Sequence, residues 1–177
     1  QPAGDISPDV SDSDSDGTSA PETFPEPPKD PLSLTSGNKC KYTVIRPETC
    51  SDAVKKLAVL VKNTIGEHID GFVSIKEDFL YGSTKPEQYE ILIGQTNRKE
   101  SVDALEGLKY NDYCISIEGD KLVVTAYTEE KLTEAVNKLI EFINGSEGDI
   151  SFTHEDQIFS NAEYERDEIK IGDISLK

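Results

Sequence analysis

The sequence of 177 residues contains no tryptophan, no methionine and only two histidines. No stretch approaches the roughly 18 apolar residues that a membrane-spanning helix needs, so we expect no membrane insertion. Basic residues are few, since 18 lysines and arginines stand against 35 acidic residues and give a formal net charge of −17. Nucleic acids and anionic membranes require a basic surface, and neither is an expected partner. We interpret the acidic excess as favouring solubility.

The cysteines and histidines, which could bind a metal or act as nucleophiles or bases, do not have the spacings typical of such sites. Cys40, Cys50 and Cys114 form no C-x-x-C pair, and His68 and His154 form no H-x-x-x-H pair. A disulfide from Cys40 or Cys50 to Cys114 remains an alternative to three buried free thiols. No G-x-S-x-G nucleophile elbow is present. We therefore predict no catalytic residues, no metal site and no cofactor.

Residues 1–38 differ in composition from the rest of the chain. They contain seven of the nine prolines and eight acidic residues, with Lys29 as the one basic residue. Such a segment cannot bury enough apolar surface to fold, so we predict a disordered acidic linker. Within it, Asp12–Gly17 matches the first half of a calcium loop, but Thr23 stands where the bidentate glutamate belongs. A solvated Ser-Asp linker is the favoured interpretation. Because methionine is absent, we expect any export signal to have been removed already.

Residues 39–177 alternate between strand and helix patterns and predict one α+β domain. Ser51 or Thr49 and Thr128 suit helix N-caps, and Gly119-Asp120 suits a hairpin turn. Gly66 is placed to end the first helix. We predict a two-layer sandwich, in which two main helices pack on one face of a mixed, mostly antiparallel sheet of about five strands. The predicted strands are 41–46, 71–76, 88–94, 112–117 and 121–127, and the predicted helices are about 51–65, 98–108 and 129–144.

The most informative stretch is Tyr89–Ser101, which reads YEILIGQTNRKES. Its apolar residues alternate as in a buried strand, and Gly94 ends that strand. Asn97 followed by Glu100 predicts a capping box at the start of the next helix.

The turn after this strand offers the best candidate ligand loop. Backbone N–H groups at the start of a helix can receive an anion or a hydroxyl, so Thr96, Asn97 and Arg98 are candidate ligand-binding residues. The structural alternative is that Asn97 caps the helix while Arg98 pairs with nearby acids. One glycine, Gly94, is poor for a phosphate cradle, and the alternative is favoured.

Several stretches together resemble a known module. Tyr89–Ser101 resembles the Y-E-I-L-I-G-x-T-N-R-x-E-S signature of a module of exported proteins from gut and soil bacteria. That module is similar to the non-catalytic domain that precedes the barrel in family-20 hexosaminidases and family-67 alpha-glucuronidases. The segment 42–47 resembles its opening Y-x-I-V-x-P strand, 111–126 its hairpin, and Ala135-Val136 its closing helix. The resemblance spans most of residues 40–143.

The resemblance implies an α+β fold, an extracellular location tethered to the bacterial cell envelope, and a carbohydrate-related context. It implies no catalytic residues, because the chemistry of those enzymes belongs to the absent barrel. The first functional hypothesis is a non-catalytic accessory module whose partners are neighbouring domains of a longer parent protein. The end of the chain, 169–177, resembles a segment leading into a further domain.

Two other functions remain open. A carbohydrate-binding module would present exposed aromatic side chains, for which Tyr81, Tyr110, Tyr127 and Phe159 are candidates. Its partners would be glycans. The alternative is that these aromatic residues belong to the core, as Tyr and Phe at strand positions more often do. A small glycan hydrolase would need two carboxylates roughly 5 to 9.5 Å apart, and so acidic a chain gives that pattern no specificity.

Overall fold

The computed structural model describes residues 31–160, and within them the chain forms an α+β domain, as predicted. The helices are α1 (Asp52–Ile69), α2 (Lys99–Glu106) and α3 (Glu129–Gly145), and a 3₁₀ turn spans His154–Asp156. The strands are β1 (Leu32–Ser33), β2 (Thr35–Ser36), β3 (Lys39–Cys40), β4 (Thr43–Arg46), β5 (Ser74–Glu77), β6 (Glu90–Ile93), β7 (Tyr113–Glu118), β8 (Lys121–Ala126), β9 (Ser151–Phe152) and β10 (Ile158–Phe159).

The main sheet of the described domain has six strands in the order β10-β7-β8-β6-β4-β5. The sheet is mixed, as predicted, but it has six strands instead of about five. The β4–β5, β4–β6 and β6–β8 pairs are parallel, while β7–β8 and β10–β7 are antiparallel. The prediction of a mostly antiparallel sheet is therefore wrong, because β4, β5 and β6 are joined by crossovers and not by hairpins.

The two long helices pack on one face of this sheet, as predicted. The apolar stripes of α1 and α3 share one buried cluster with the inward residues of β4, β6, β7 and β8. Their starts are fixed by the expected caps. Ser51 Oγ accepts a hydrogen bond from Val54 N, and Thr128 Oγ1 accepts one from Lys131 N.

The end of α1 differs from the prediction. The helix continues past Gly66 to Ile69 and ends at Asp70, whose φ of 48° is left-handed. Gly71 N donates to the Gly66 carbonyl, which closes the helix by the bond typical of a Schellman motif. The glycine therefore lies inside the last turns, and a short polar residue takes the left-handed position.

The short helix α2 covers the opposite face of the sheet. Ala104 packs against a small buried cluster of Ile45, Leu92 and Val123, which alternate with the residues that face α1 and α3. The crossovers β4-to-β5 and β6-to-β8 run in opposite directions along the sheet. Right-handed connections therefore place α1 and α2 on opposite faces.

The folded domain begins earlier than the predicted boundary at residue 38. Leu32 pairs with Phe152 across β1 and β9, and both Leu32 and Leu34 lie in the main core. The alternation of apolar and polar residues in 32–36 belongs to strands, although the segment follows a proline-rich stretch. The rest of the predicted linker, the calcium-like motif and the predicted continuation at 169–177 lie outside the described residues.

The described residues also bear on membrane insertion and on the state of the cysteines. Within residues 31–160, no helix is long and apolar enough to cross a membrane. Cys40, Cys50 and Cys114 are all free thiols, as the favoured alternative predicts, but Cys114 alone of the three is buried, while Cys40 and Cys50 are partly exposed. Burial raises the pKa of the Cys114 thiol to about 11.

Candidate functional site

The conspicuous charged group of the signature stretch is a buried ionic cluster, defined here as Glu90, Arg98 and Lys121. Glu90 is fully buried on β6, on the face covered by α2, and Arg98 is 3% exposed. Arg98 Nε lies 3.2 and 3.0 Å from the two Glu90 carboxylate oxygens, and Lys121 Nζ lies 3.0 Å from Oε2. A buried carboxylate requires such compensation, and both of its oxygens are occupied.

Asp78, which immediately precedes the loop 79–86, is hydrogen-bonded to this buried ionic cluster through Arg98. Its carboxylate accepts from the backbone N–H groups of Glu48, at 2.9 Å, and Asn97, at 2.7 Å. Its carbonyl accepts from Asn97 Nδ2 and Arg98 Nη1. Through these four bonds Asp78 joins the end of β5 to the ends of β4 and β6.

The structure places the three candidate ligand residues in internal contacts. Thr96 is buried and its hydroxyl donates to Ser101 Oγ. Arg98 pairs with Glu90 as the structural alternative proposed. The predicted capping role of Asn97 is wrong, because α2 has Arg98 at its N-cap position without a side-chain cap, and Asn97 Nδ2 donates to Asp78 instead. Ligand binding by these three residues stays a prediction.

The loop 79–86 is therefore held at both ends and presents aromatic side chains to solvent. Phe79 and Tyr81 meet edge to face at 6.5 Å and are 55% and 82% exposed. At the far end, Glu87 accepts hydrogen bonds from Lys76 and from the Thr43 hydroxyl. The Lys76 bond, followed by the Thr43 bond, holds the pKa of the Glu87 carboxyl below its usual value.

A second candidate site is a cavity of about 310 Å³ at the carboxyl ends of the parallel strands β4, β6 and β8, where α1 and α3 begin. We name it the strand-end cavity. Its apolar floor includes Val54 of α1 and Leu132 of α3, and most of its polar rim comes from the segments between these strands and the two helices. The residues that line it are Pro47, Thr49, Cys50, Ser51, Val54, Gly94, Gln95, Ala126, Tyr127, Thr128, Glu129 and Leu132.

Gly94 and Gln95, from the signature turn, shape this cavity. Gly94 has a φ of +83°, and a Cβ atom there would lie 3.3 Å from Leu132 Cδ2. Only glycine therefore fits the turn without strain. Gln95 Nε2 donates to the carbonyls of Ala126 and Tyr127, at 3.1 and 3.2 Å, and so ties the end of β6 to the end of β8.

Tyr127 lines the strand-end cavity, and its ring contacts that of Tyr110, which is not among the lining residues. Tyr110 and Tyr127 are stacked, with ring centroids 6.4 Å apart and an interplanar angle of 20°. They are 65% and 38% exposed. Tyr81 and Phe159 are also exposed, so all four candidate aromatic side chains lie at the surface and not in the core.

Sequence reasoning missed several residues of the strand-end cavity, among them Gln95, Glu129 and Cys50. Cys50 Sγ donates to the Pro47 carbonyl at 3.2 Å. The available signal was positional, because ligands of open α/β sheets bind outside the carboxyl ends of the strands. Among residues 31–160, no three His, Cys, Asp or Glu side chains converge as a metal site.

Comparisons with known proteins identify no family. No protein-family model matches the chain. No curated protein matches it either. A solved glycoside hydrolase family 84 structure, "Structure of CpGH84D", is similar with a TM-score of 0.44 and 14% identity, over 74% of this chain and 23% of that one. The chain thus spans about a quarter of that protein. A likeness at this level assigns neither a family nor an activity to the chain.

Proposed function

We propose that this chain is a non-catalytic accessory module of an exported, cell-surface bacterial protein that handles carbohydrate. Its partners would be neighbouring domains of a longer parent protein, and it would need no cofactor. The observation that carries the proposal is the buried ionic cluster. Two of the four charged residues of the signature stretch, Glu90 and Arg98, compensate each other inside the fold, whereas Lys99 is exposed and pairs with Asp103. A signature whose buried charges are paired in this way supports a structural role and not a catalytic one.

Two acidic residues next to the cluster also give the module a fixed surface. Asp78 and Glu87 hold the two ends of the loop 79–86, which keeps Phe79 and Tyr81 exposed in a defined position. Exposed aromatic side chains on an anchored loop suit contact with a neighbouring domain.

A turnover assay tests the non-catalytic part of the proposal. The full chain is incubated with a panel of 4-nitrophenyl glycosides, and the expected release of nitrophenol equals that of buffer. A saturable release that disappears in Glu129→Gln, the variant of the carboxylate in the strand-end cavity, would contradict the proposal and favour a small glycan hydrolase.

The cell-surface location has its own test. Antibodies raised against the chain should label intact cells of the source bacterium. Labelling that requires permeabilised cells would contradict this part of the proposal and leave the others standing.

A second candidate function, a carbohydrate-binding module, is favoured by a specific observation. Tyr127, on whose ring Tyr110 stacks, lines an open cavity with hydroxyl, amide and carboxylate groups on its rim.

A further inference from the structure

The strand-end cavity lies where the topology of the sheet changes direction. The chain leaves β4 for α1 on one face and leaves β6 for α2 on the other, although β4 and β6 are neighbouring parallel strands. In open α/β sheets, ligands bind in the crevice outside the carboxyl ends of the strands at such a switch point. The cavity opens at this point, with Pro47 after β4 and Gly94 after β6 among its lining residues.

The floor of the cavity is apolar and closely packed. Val54 of α1 and Leu132 of α3 approach the Cα of Gly94 so closely that a Cβ atom there would lie 3.5 and 3.3 Å from them. The missing side chain at Gly94 therefore lets α1 and α3 pack closely against the end of β6 and form this floor. The volume of about 310 Å³ is at the lower end of the ~300–1,000 Å³ of small-molecule sites, and suits about one or two sugar rings.

One aromatic residue, Tyr127, lies in the wall, and its backbone is held in place. Gln95 fixes the backbone at Tyr127 by donating to its carbonyl, and the ring of Tyr110 stacks on the ring of Tyr127. An exposed aromatic ring with a fixed orientation offers a flat apolar surface at little cost in conformational entropy.

The rim supplies both donors and acceptors. The hydroxyls of Ser51 and Thr128 each accept one backbone N–H at a helix start, and a hydroxyl in that state keeps its own hydrogen to donate. The carboxylate of Glu129 accepts only. Among the described lining residues, Glu129 is the only one that carries a charge.

From this arrangement we infer that the strand-end cavity binds a pyranose unit of a neutral oligosaccharide. A pyranose ring has an apolar face of C–H groups, which matches Tyr127, and a ring of hydroxyls, which matches Ser51, Thr128 and Glu129. A uronate is disfavoured by the Glu129 carboxylate and by the net charge of −17. The inference rests on the proposed function in one respect: the sugar is bound and not cleaved.

A titration followed by two-dimensional ¹H–¹⁵N NMR tests the inference on the full chain. The probes are cellohexaose, xylohexaose and chitohexaose, with hexagalacturonic acid as the charged counterpart. We expect saturable shifts of the Gly94, Gln95 and Thr128 amides with at least one neutral probe and none with the uronate. Three results would overturn the inference: no saturable shift with any neutral probe up to millimolar concentration, shifts centred on Phe79 and Tyr81, or equal affinity for the uronate.

Matched variants locate the binding. Tyr127→Ala should weaken binding at least about tenfold, which is about 1.4 kcal/mol, whereas Tyr127→Phe should bind like the parent chain. Tyr81→Ala, which removes an exposed tyrosine from the loop 79–86, none of whose residues lines the cavity, should leave binding unchanged. If Tyr127→Ala fails to fold, Tyr110→Ala removes the ring that stacks on the cavity residue Tyr127 and should also weaken binding. Unchanged binding in the folded variant would overturn the inference.

The two proposals fail in different ways. Absence of binding together with absence of turnover in the glycoside assay contradicts the sugar site and leaves the accessory module standing. Turnover that requires Glu129 contradicts the non-catalytic proposal, whatever the titration shows.

Discussion

The turn that follows β6 contributes to two regions of opposite character. Thr96 and Arg98 point into the buried ionic cluster and its surroundings, where polar atoms are paired inside the protein. Gly94 and Gln95, at the start of the same turn, line an open cavity. Within one turn, Thr96 and Arg98 thus contribute to stability, whereas Gly94 and Gln95 are accessible to a ligand. Resemblance in sequence cannot separate these roles, because both belong to one continuous motif.

The largest expected effect comes from breaking the buried side of this comparison. Arg98→Met removes the main partner of a fully buried carboxylate and should lower the free energy of unfolding by about 3–5 kcal/mol. A loss near the lower end of this range is expected because Lys121 still pairs with Glu90 in the variant. Urea unfolding followed by circular dichroism measures the loss. Lys99→Ala, at the next and exposed position, is the control and should unfold like the parent chain.

A smaller loss of stability is expected at the point where the two regions meet. Gly94→Ala forces a left-handed φ on a residue with a Cβ atom and brings that atom 3.3 Å from Leu132 Cδ2, which should cost about 1–3 kcal/mol. Thermal unfolding gives the comparison with Gly145→Ala, where no atom lies within 4 Å and φ is not positive. Equal midpoints for the two variants would show that the Gly94 turn is not constrained as described.

On the cavity side, Gln95→Ala should affect binding more than folding. It removes the two hydrogen bonds that fix the backbone at Ala126 and Tyr127, and should weaken binding of a neutral hexasaccharide roughly 3–10-fold, or about 1 kcal/mol. Isothermal titration calorimetry measures the change. The control is Gln88→Ala, which removes an exposed hydrogen bond to Asp120 away from the cavity. Equal losses in both variants would contradict a specific role for Gln95.

The smallest effect concerns pH and the anchored loop. The pKa of Glu87 is lowered in the folded state, so its contribution to stability is present above its unfolded pKa, about 4.3, and is lost as pH falls through the folded pKa. Because this carboxylate is about half exposed, the contribution should be well under ~1 kcal/mol. Glu87→Gln should flatten the stability profile below about pH 5, measured by urea unfolding at a series of pH values. An unchanged profile in that variant would contradict the assignment.

Local features of the fold could be predicted from the sequence because they depend on short-range rules. The stripes of α1 and α3, the caps at Ser51 and Thr128, and the Gly119-Asp120 turn each follow from residues within one or two turns of chain. The order of the strands could not be predicted in this way. The sequence of a strand of four to six residues does not indicate which strands it pairs with. The sheet was therefore predicted as mostly antiparallel, although three of its strand pairs are parallel.

The candidate site was only partly predictable for a related reason. The pairing of Glu90 with Lys121 depends on the β6–β8 register, and that of Glu90 with Arg98 on a chain reversal across eight residues. Exposed aromatics such as Tyr127 were foreseen, but their position beside Gln95 required the sheet order.

The most direct test of the account is a double-mutant cycle of Glu90→Leu and Arg98→Met in urea unfolding. The account predicts that each single substitution strongly lowers the free energy of unfolding. The loss in the double variant should be smaller than the sum of the two single losses. The coupling should exceed about 1.5 kcal/mol, since Lys121 retains Glu100 as a partner at 3.2 Å. Changes in the free energy of unfolding that are small and additive would contradict the structural role of the buried ionic cluster. Glu90 and Arg98 would then again be candidates for binding a ligand.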